Sequence, residues 1–307
     1  MIVHLIDGTY ELFRHFYGLR RFNKGKDKPF GAIVGVLNGV LEMIEEGATH
    51  LGVATDQVIE SFRNNLWHGY KTGEGIEPVL LSQFHPLEDA LVSMGVVVWP
   101  MIELEADDAL ASAAYLAAAD SRVLKVCIWT PDKDLGQCVC DDRVVQIDRR
   151  AKTILNANMV HEKFAVRPTL IPDLLALVGD SADGYPGIPG IGKVGAARLL
   201  NTYGPIEAFP KSVLGKHRRW PYYLNASPLY ESMHHYLAML ESCNGEDPRQ
   251  PSKGLQKNWV SRVYLSGQTL LLQNFFNQSK RGSLTCLYIN PFITPTLLQC
   301  SAAHLEF

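Results

Sequence analysis

The chain reads as an α/β protein: a mostly parallel sheet flanked by helices, followed by a small all-α region. Three observations predict this. Short apolar runs alternate with stretches of helical periodicity through the first half of the chain. Near residue 160 the strand pattern gives way to helix-forming sequence broken by a glycine-rich turn. With 47% hydrophobic residues in 307, the chain can bury one α/β core and a smaller helical one.

The elements follow in order. Residues 2–6 (Ile-Val-His-Leu-Ile) form an apolar run ending at Asp7-Gly8 and read as a buried strand. A helical stretch covers 32–45, and a second strand at 51–55 ends in Asp56. Residues 106–119 read as a helix opened by Glu105, Asp107 and Asp108. A strand over 126–130 leads into Asp132 and Asp134. Helical sequence from 172 to 178 runs into Asp180 and Asp183, then into Gly187-Ile188-Pro189-Gly190-Ile191-Gly192, with a helix beginning near Lys193. Residues 245–252 read as a linker, and 255–307 match no pattern. The organisation expected is 1–160, 161–245 and an unassigned 246–307.

Nine carboxylates therefore stand at the ends of hydrophobic segments. In a parallel sheet such ends share one edge, where working groups gather. Converging acids repel, and burying them uncompensated costs several kcal/mol or drives protonation. Two hard divalent cations relieve this through oxygen ligands, and a pair about 4 Å apart suits in-line displacement at a phosphodiester. Taken singly, each acid has a plainer reading: Asp7 or Asp56 as a turn former or cap, Asp107-Asp108 as a solvated first helical turn, Asp180 and Asp183 as a capping pair.

In the family's order, the segments Asp7-Gly8-Thr9-Tyr10-Glu11-Leu12-Phe13-Arg14, Ser61-Phe62-Arg63 with Tyr70-Lys71, Glu105-Ala106-Asp107-Asp108, Thr130-Pro131-Asp132-Lys133-Asp134-Leu135 and Gly179-Asp180-Ser181-Ala182-Asp183, continuing into the glycine run, resemble the 5′-nucleases. These comprise the 5′-3′ exonuclease domain of DNA polymerase I, free-standing exonucleases and flap endonucleases. The resemblance implies a PIN-like fold with a helix-three-turn-helix, and 5′-3′ exonuclease or 5′ flap endonuclease activity by a two-metal mechanism in replication or repair. DNA is the substrate implied, with RNA primers as a further one. It implies an inner metal site of Asp7, Glu105, Asp107, Asp108, Asp132 and Asp134. Asp56, Asp180 and Asp183 would hold the second ion, with Mg2+ expected and Mn2+ as a substitute. It further implies a helical arch at 63–86, where Arg63 and Lys71 meet phosphate and Tyr70 stacks on a base, the plainer reading of Arg63 and Lys71 being exposed surface charge; Arg14, just after the first acid, is a further phosphate ligand. Gly190, Ile191, Gly192 and Lys193 would grip duplex phosphates without reading sequence, with K+ at the hairpin.

The chain departs from the family pattern at Thr72-Gly73-Glu74-Gly75, where a second basic residue is usual, at Pro131, and at Gly184-Tyr185. Net charge is −3, unusual for a DNA-gripping protein. Setting the nine acids aside as metal-neutralised leaves 32 less 9, or 23, acids against 29 bases, a balance of +6. Arg20-Arg21, Lys24, Lys26, Lys28 and Lys216-His217-Arg218-Arg219 could face the duplex or simply be solvated loop charge. No run of 18 apolar residues is present, and the first strand begins at residue 2, so neither a membrane span nor a leader is expected. Six cysteines lack zinc spacing and read as reduced, buried thiols of a cytosolic protein, nucleoid-associated if bacterial. A monomer resembling the free-standing exonucleases is expected. Two rivals stand beside this reading: a metal-dependent RNase on a PIN-type fold, and a non-catalytic DNA-structure-binding protein.

Overall fold

The computed structural model describes residues 1–23, 30–210 and 213. Its framework is a six-stranded sheet in the order β3-β2-β1-β4-β5-β6. The strands are β1 (Ile2–Asp7), β2 (Leu51–Asp56), β3 (Val97–Met101), β4 (Lys125–Trp129), β5 (Val144–Asp148) and β6 (Thr153–Leu155). The first five run parallel and β6 pairs antiparallel with β5. The chain builds outward from β1 through β2 to β3, then returns to β1's other side with β4. A crevice therefore opens between the carboxyl ends of β1 and β4, where the winding reverses.

The parallel strands are continuous apolar runs because helices cover the sheet. Helix α1 (Gly8–Asn23) leaves β1 directly, and α2 (Gly31–Glu45) buries Ala32, Ile33, Val36, Val40, Met43 and Ile44 at helical spacing. Two single turns, α3 (Arg63–Leu66) and α4 (Pro78–Leu81), precede α5 (Phe84–Ser93). Helix α6 (Ala106–Ala119) turns small residues to the sheet, so Ala106, Ala113, Ala114 and Ala117 lie against a core containing Val3, Leu5, Val126 and Ile128. Burying that layer is the main stabilising term, at roughly 25 cal/mol per Å² of apolar surface.

Beyond the sheet come α7 (Ala157–Phe164), α8 (Ile171–Val178) and α9 (Lys193–Tyr203), with short 3-10 turns at Asp134–Cys138, Pro168–Leu170 and Ile206–Ala208. Their core joins Leu174, Ile188, Ala196 and Leu200 to Tyr70, Val139 and Leu155 from the earlier part of the chain. The change of pattern near residue 160 thus marks a change of element type across a shared apolar cluster. The stretch read as an arch holds only α3, α4 and the start of α5, and its base is docked on the later loop: the Lys71 amide donates to the Asp183 carbonyl at 3.1 Å, and Trp67 Nε1 to the Gly184 carbonyl at 3.2 Å. No described helix is long and apolar enough to cross a membrane. Among the described cysteines Cys127 is buried, but Cys140 is exposed, because it sits in the turn that leads into β5. Residues 246–307, Lys24, Lys26, Lys28, the run 216–219 and the side chains of Arg20 and Arg21 lie outside the described residues.

Candidate active site

The carboxyl edge of the sheet gathers the acids. Asp7 ends β1, where its Oδ1 accepts from the Tyr10 amide at 2.8 Å and its Oδ2 from Thr130 Oγ1 at 2.9 Å. Asp56 ends β2 and accepts from the Ala106 amide at 2.7 Å, which ties β2 to the start of α6. Asp134 opens the 3-10 turn after β4, and its amide donates to Asp132 Oδ1 at 3.0 Å. Asp180 and Asp183 come from the loop after α8, closed by a small bridge between Asp180 and Tyr185. Five elements far apart in sequence thus supply one crevice.

Burial sets the electrostatics. It pushes the Asp7 carboxyl up to about 7, with Asp56 and Asp132 adding to the rise against the hydrogen bonds from Tyr10 and Thr130. Asp107 is driven well above the usual carboxylate range by burial first and then by Asp132 and Asp7. Asp134 rises similarly, by burial and then by Asp132, Asp183 and Asp180. Burial raises Asp56, with Glu105 adding, and raises Asp183, with Asp180 adding. Each shift expresses the cost of ionising a carboxyl in a place water reaches poorly, with neighbouring acids adding to it.

Asp134, Asp180 and Asp183, all buried, bring three ligating oxygens within 4.8 Å of one another. Among the described residues Asp134 Oδ1 is a buried oxygen with no hydrogen-bond partner. An unpartnered buried carboxylate oxygen within a set of hard donors fits a hard divalent cation, which takes oxygen ligands and repels none of them. The sequence reading placed Asp134 with the inner acids; here it stands with Asp180 and Asp183 while facing Asp132 and Asp107, so it joins the two sets.

Two expected ligands are engaged otherwise. Asp108 receives both guanidinium nitrogens of Arg63, at 2.8 and 2.7 Å, and also accepts from the Glu105 amide at 2.9 Å as half of a capping box. Arg63 is correspondingly buried, 3% exposed, with its guanidinium engaged by Asp108 and Glu105. Glu105 accepts from Ser61 Oγ at 2.6 Å and Tyr70 Oη at 3.2 Å and pairs with Lys71 Nζ at 3.0 Å. Burial works to raise its carboxyl, but Lys71 and Arg63 outweigh it and hold the group below its ordinary value. Tyr70 is buried with its hydroxyl on Glu105, so its ring is packed in the helical core rather than offered to a base.

Lys71 keeps 35% of its side chain exposed while bridging Glu105 and Asp183, the latter at 3.2 Å. Arg14 turns to Glu11 and to His15 Nε2, the latter at 2.9 Å. In the glycine run, Gly187 has φ of +64° and a Cβ there would meet the Gly179 nitrogen at 2.3 Å, so it permits two chain segments to touch. Gly190 (φ +89°) and Gly192 have open space around them, Ile191 is buried, and Lys193 starts α9 exposed. Only this distal half is free to meet a ligand.

Sequence reasoning missed Thr130 and Ser61, hydroxyls that orient Asp7 and Glu105, because a lone hydroxyl carries no spacing signal. It also missed Lys133, whose Nζ sits 2.5 Å from Asp180 Oδ2 although it lies between two recognised acids.

Comparison with known proteins gives the same outline. A family described as 5′-3′ exonuclease, N-terminal resolvase-like domain, matches residues 2–165, and one described as 5′-3′ exonuclease, C-terminal SAM fold, matches 166–241. The 5′-3′ exonuclease of Buchnera aphidicola subsp. Baizongia pistaciae is 32% identical over 241 residues, 76% of each chain. DNA polymerase I of Pseudomonas aeruginosa is 35% identical over 202 residues, which cover 65% of this chain and 22% of that protein. A bacteriophage T5 flap endonuclease solved with DNA and metal ions superposes with a TM-score of 0.56 at 18% identity, covering 91% of this chain and 98% of that one. That likeness shows a shared fold.

Proposed function

Since the chain belongs to the 5′-3′ exonuclease family, we propose that its carboxylate crevice hydrolyses phosphodiester bonds at 5′ ends and flaps of DNA. The chain is a nuclease of that family, and the arrangement of Asp134, Asp180 and Asp183 at the reversal point of the sheet carries the assignment to this crevice.

The ligands we assign are Asp134, Asp180 and Asp183 for one ion and Asp7, Asp56, Asp107 and Asp132, with Glu105 at their margin, for another; Asp56, expected beside Asp180 and Asp183, is moved to the second set because its charge acts on Asp7. Mg2+ is the expected ion and Mn2+ its substitute, because every donor is a hard oxygen. Bound there, divalent ions would supply Lewis acidity and an activated water for in-line attack. The chain's own part is positioning. Thr130 and the Tyr10 amide aim the Asp7 oxygens, and the Asp108–Arg63 pair anchors the first turn of α6 so that Glu105 faces Lys71. Lys71 is placed to take charge from the scissile phosphate, since its ammonium already lies among the acids with part of its surface open.

Lys193 and the backbone of Gly190 and Gly192, which have open space around them, would bind duplex phosphates at the start of α9, with Ile191 buried beneath and its amide donating to the Ile188 carbonyl, helped by K+ on the loop carbonyls. Binding of this kind reads no bases, so DNA would be held whatever its sequence; the enzyme of this reading is a monomer of the cytoplasm acting in replication or repair. The segment 1–160 would carry most of the catalytic acids and 161–245 would hold the duplex while completing the crevice with Asp180 and Asp183, a division supported by the two family matches meeting at residues 165 and 166.

The test is cleavage of a 5′-labelled flap duplex, the matching single strand, an RNA-primed duplex and a single-stranded RNA, with Mg2+ or EDTA, by the protein and by Asp134→Asn. Mg2+-dependent short 5′ products, lost in the variant, are expected. Retained binding with no cleavage would leave a DNA-structure-binding protein, and preference for single-stranded RNA would favour the PIN-type RNase.

A further inference from the structure

The buried triad is not electrically alone, and its neutralisation is uneven. Asp183 Oδ1 faces Lys71 Nζ at 3.2 Å, Asp180 Oδ2 faces Lys133 Nζ at 2.5 Å, and Asp134 Oδ1 has no hydrogen-bond partner among the described residues. Lys133 is carried between Asp132 and Asp134 at the entry to the 3-10 turn, so its ammonium is tethered beside the acids it neutralises. Its side chain is 35% exposed, which leaves it room to swing toward solvent. Asp180 is 4% exposed and has its other oxygen on the Ala182 amide at 3.0 Å. A divalent ion seated on the triad would compete with Lys133 for the Asp180 carboxylate.

We propose that Lys133 is a tethered competitor of the divalent ion at the Asp134–Asp180–Asp183 triad: it stabilises the crevice when no ion is bound and weakens ion affinity there. The physical reason is common to both halves. Three carboxylates this close repel strongly at low local dielectric, and one ammonium in contact relieves much of that repulsion. The same relief is lost when an ion displaces the ammonium, so the ion's net gain is smaller than it would be at an unoccupied set of acids. Lysine suits the role because its flexible stem lets a point charge leave without unpacking the core. The consequence is a threshold: at low divalent concentration the triad stays closed on Lys133, and ion occupancy rises only above it. This rests on the assignment of the triad as a metal site.

The experiment measures Mn2+ binding to the full chain by loss of the free-ion electron paramagnetic resonance signal, together with thermal melting in EDTA and in saturating Mg2+. The proteins are the wild type, Lys133→Met, Lys133→Arg and Asp134→Asn. Expected for Lys133→Met is Mn2+ affinity at the weaker site raised by about tenfold, the equivalent of ~1.4 kcal/mol. Its melting temperature should fall in EDTA and return to the wild-type value in Mg2+. Lys133→Arg should keep wild-type melting in EDTA, because it restores the charge. A lysine that merely supports the fold would lower melting equally in both conditions and leave Mn2+ affinity unchanged, and that result would overturn the proposal. Asp134→Asn separates the two claims: if it leaves Mn2+ stoichiometry at the wild-type value, the triad is no metal site and both fall. If it removes one ion while Lys133→Met binds no tighter, only the competition is refuted.

Discussion

At the scale of single residues the buried Arg63–Asp108 pair shows how a charge can look functional in sequence and be structural in space. Arg63 reaches Asp108 with two nitrogens and Glu105 at 3.4 Å, all three groups almost fully buried. Removing the guanidinium strands the buried Asp108 carboxylate and leaves Glu105 with Lys71 as its counter-charge, a loss of roughly 3–5 kcal/mol for a broken buried pair. Arg63→Met should lower the urea midpoint accordingly, and Arg63→Lys should recover little, because a point charge cannot match the two-pronged contact. A variant that unfolds like the wild type but loses phosphate affinity would return Arg63 to the substrate. The acids themselves make stability depend on pH. Asp7 titrates at about 7 against 3.8 unfolded, and Asp107 and Asp134 are raised with it. The folded state therefore holds protons the unfolded chain has lost, so stability falls as pH rises from about 4 to about 7 and levels off above. Glu105, whose carboxyl is lowered, acts only at more acid pH, and Lys71, which is raised, only in the alkaline range. In EDTA the melting temperature should be higher near pH 6 than near pH 8, and saturating Mg2+ should remove most of that slope. A flat profile in EDTA would mean the acids are better solvated than their burial indicates.

At the scale of elements, the base of the segment read as an arch is fastened to the loop that carries Asp180 and Asp183. Gly184 has φ of +71°, and a Cβ there would lie 2.0 Å from the Gly69 carbonyl oxygen. Trp67 covers the junction, its ring 5.6 Å from that of Tyr185 in an edge-on arrangement. Gly184-Tyr185, a departure from the family pattern in sequence, is thus the place where two backbones touch. Gly184→Ala must separate them or strain the loop, displacing Lys71 from Asp183. Nuclease rate should fall by at least tenfold, while duplex affinity, which depends on α9, stays within about twofold. An unchanged rate would show that the two segments need not touch for catalysis. The distal hairpin gives the complementary expectation: Lys193→Ala and Arg198→Ala should each weaken duplex binding on every sequence and reduce its salt slope by about one, since both residues are exposed along α9.

At the scale of the whole molecule, one winding reversal gathers acids that range from residue 7 to residue 183 in the sequence. The fold thereby stores like-charge repulsion that ion binding relieves. Mg2+ should therefore raise the melting temperature by several degrees at concentrations well above its dissociation constant, following mass action. Asp134→Asn should melt higher than the wild type in EDTA and gain less from Mg2+. If the variant is instead less stable in EDTA, the crevice is not strained and its acids are held by contacts outside those described.

The strands ending in Asp7 and Asp56, the strand leading into Asp132 and the helix opened by Glu105 were legible because burial on both faces of a parallel sheet forces unbroken apolar runs, and the acids follow them at a defined edge. The glycine run and the helix from Lys193 were legible because turns and helix starts have local chemistry. By itself, then, the sequence determined the α/β class and the edge of the sheet near which its carboxylates gather. Only the tertiary structure decided how they are divided: Asp108 turned to Arg63, Tyr70 packed into the core, Asp134 set beside Asp180 and Asp183, and Lys133 placed on Asp180. The reason is range. Strand, turn and cap preferences act over a few residues, whereas the partner of a buried charge is chosen by whichever group the packing of distant elements brings within hydrogen-bond reach.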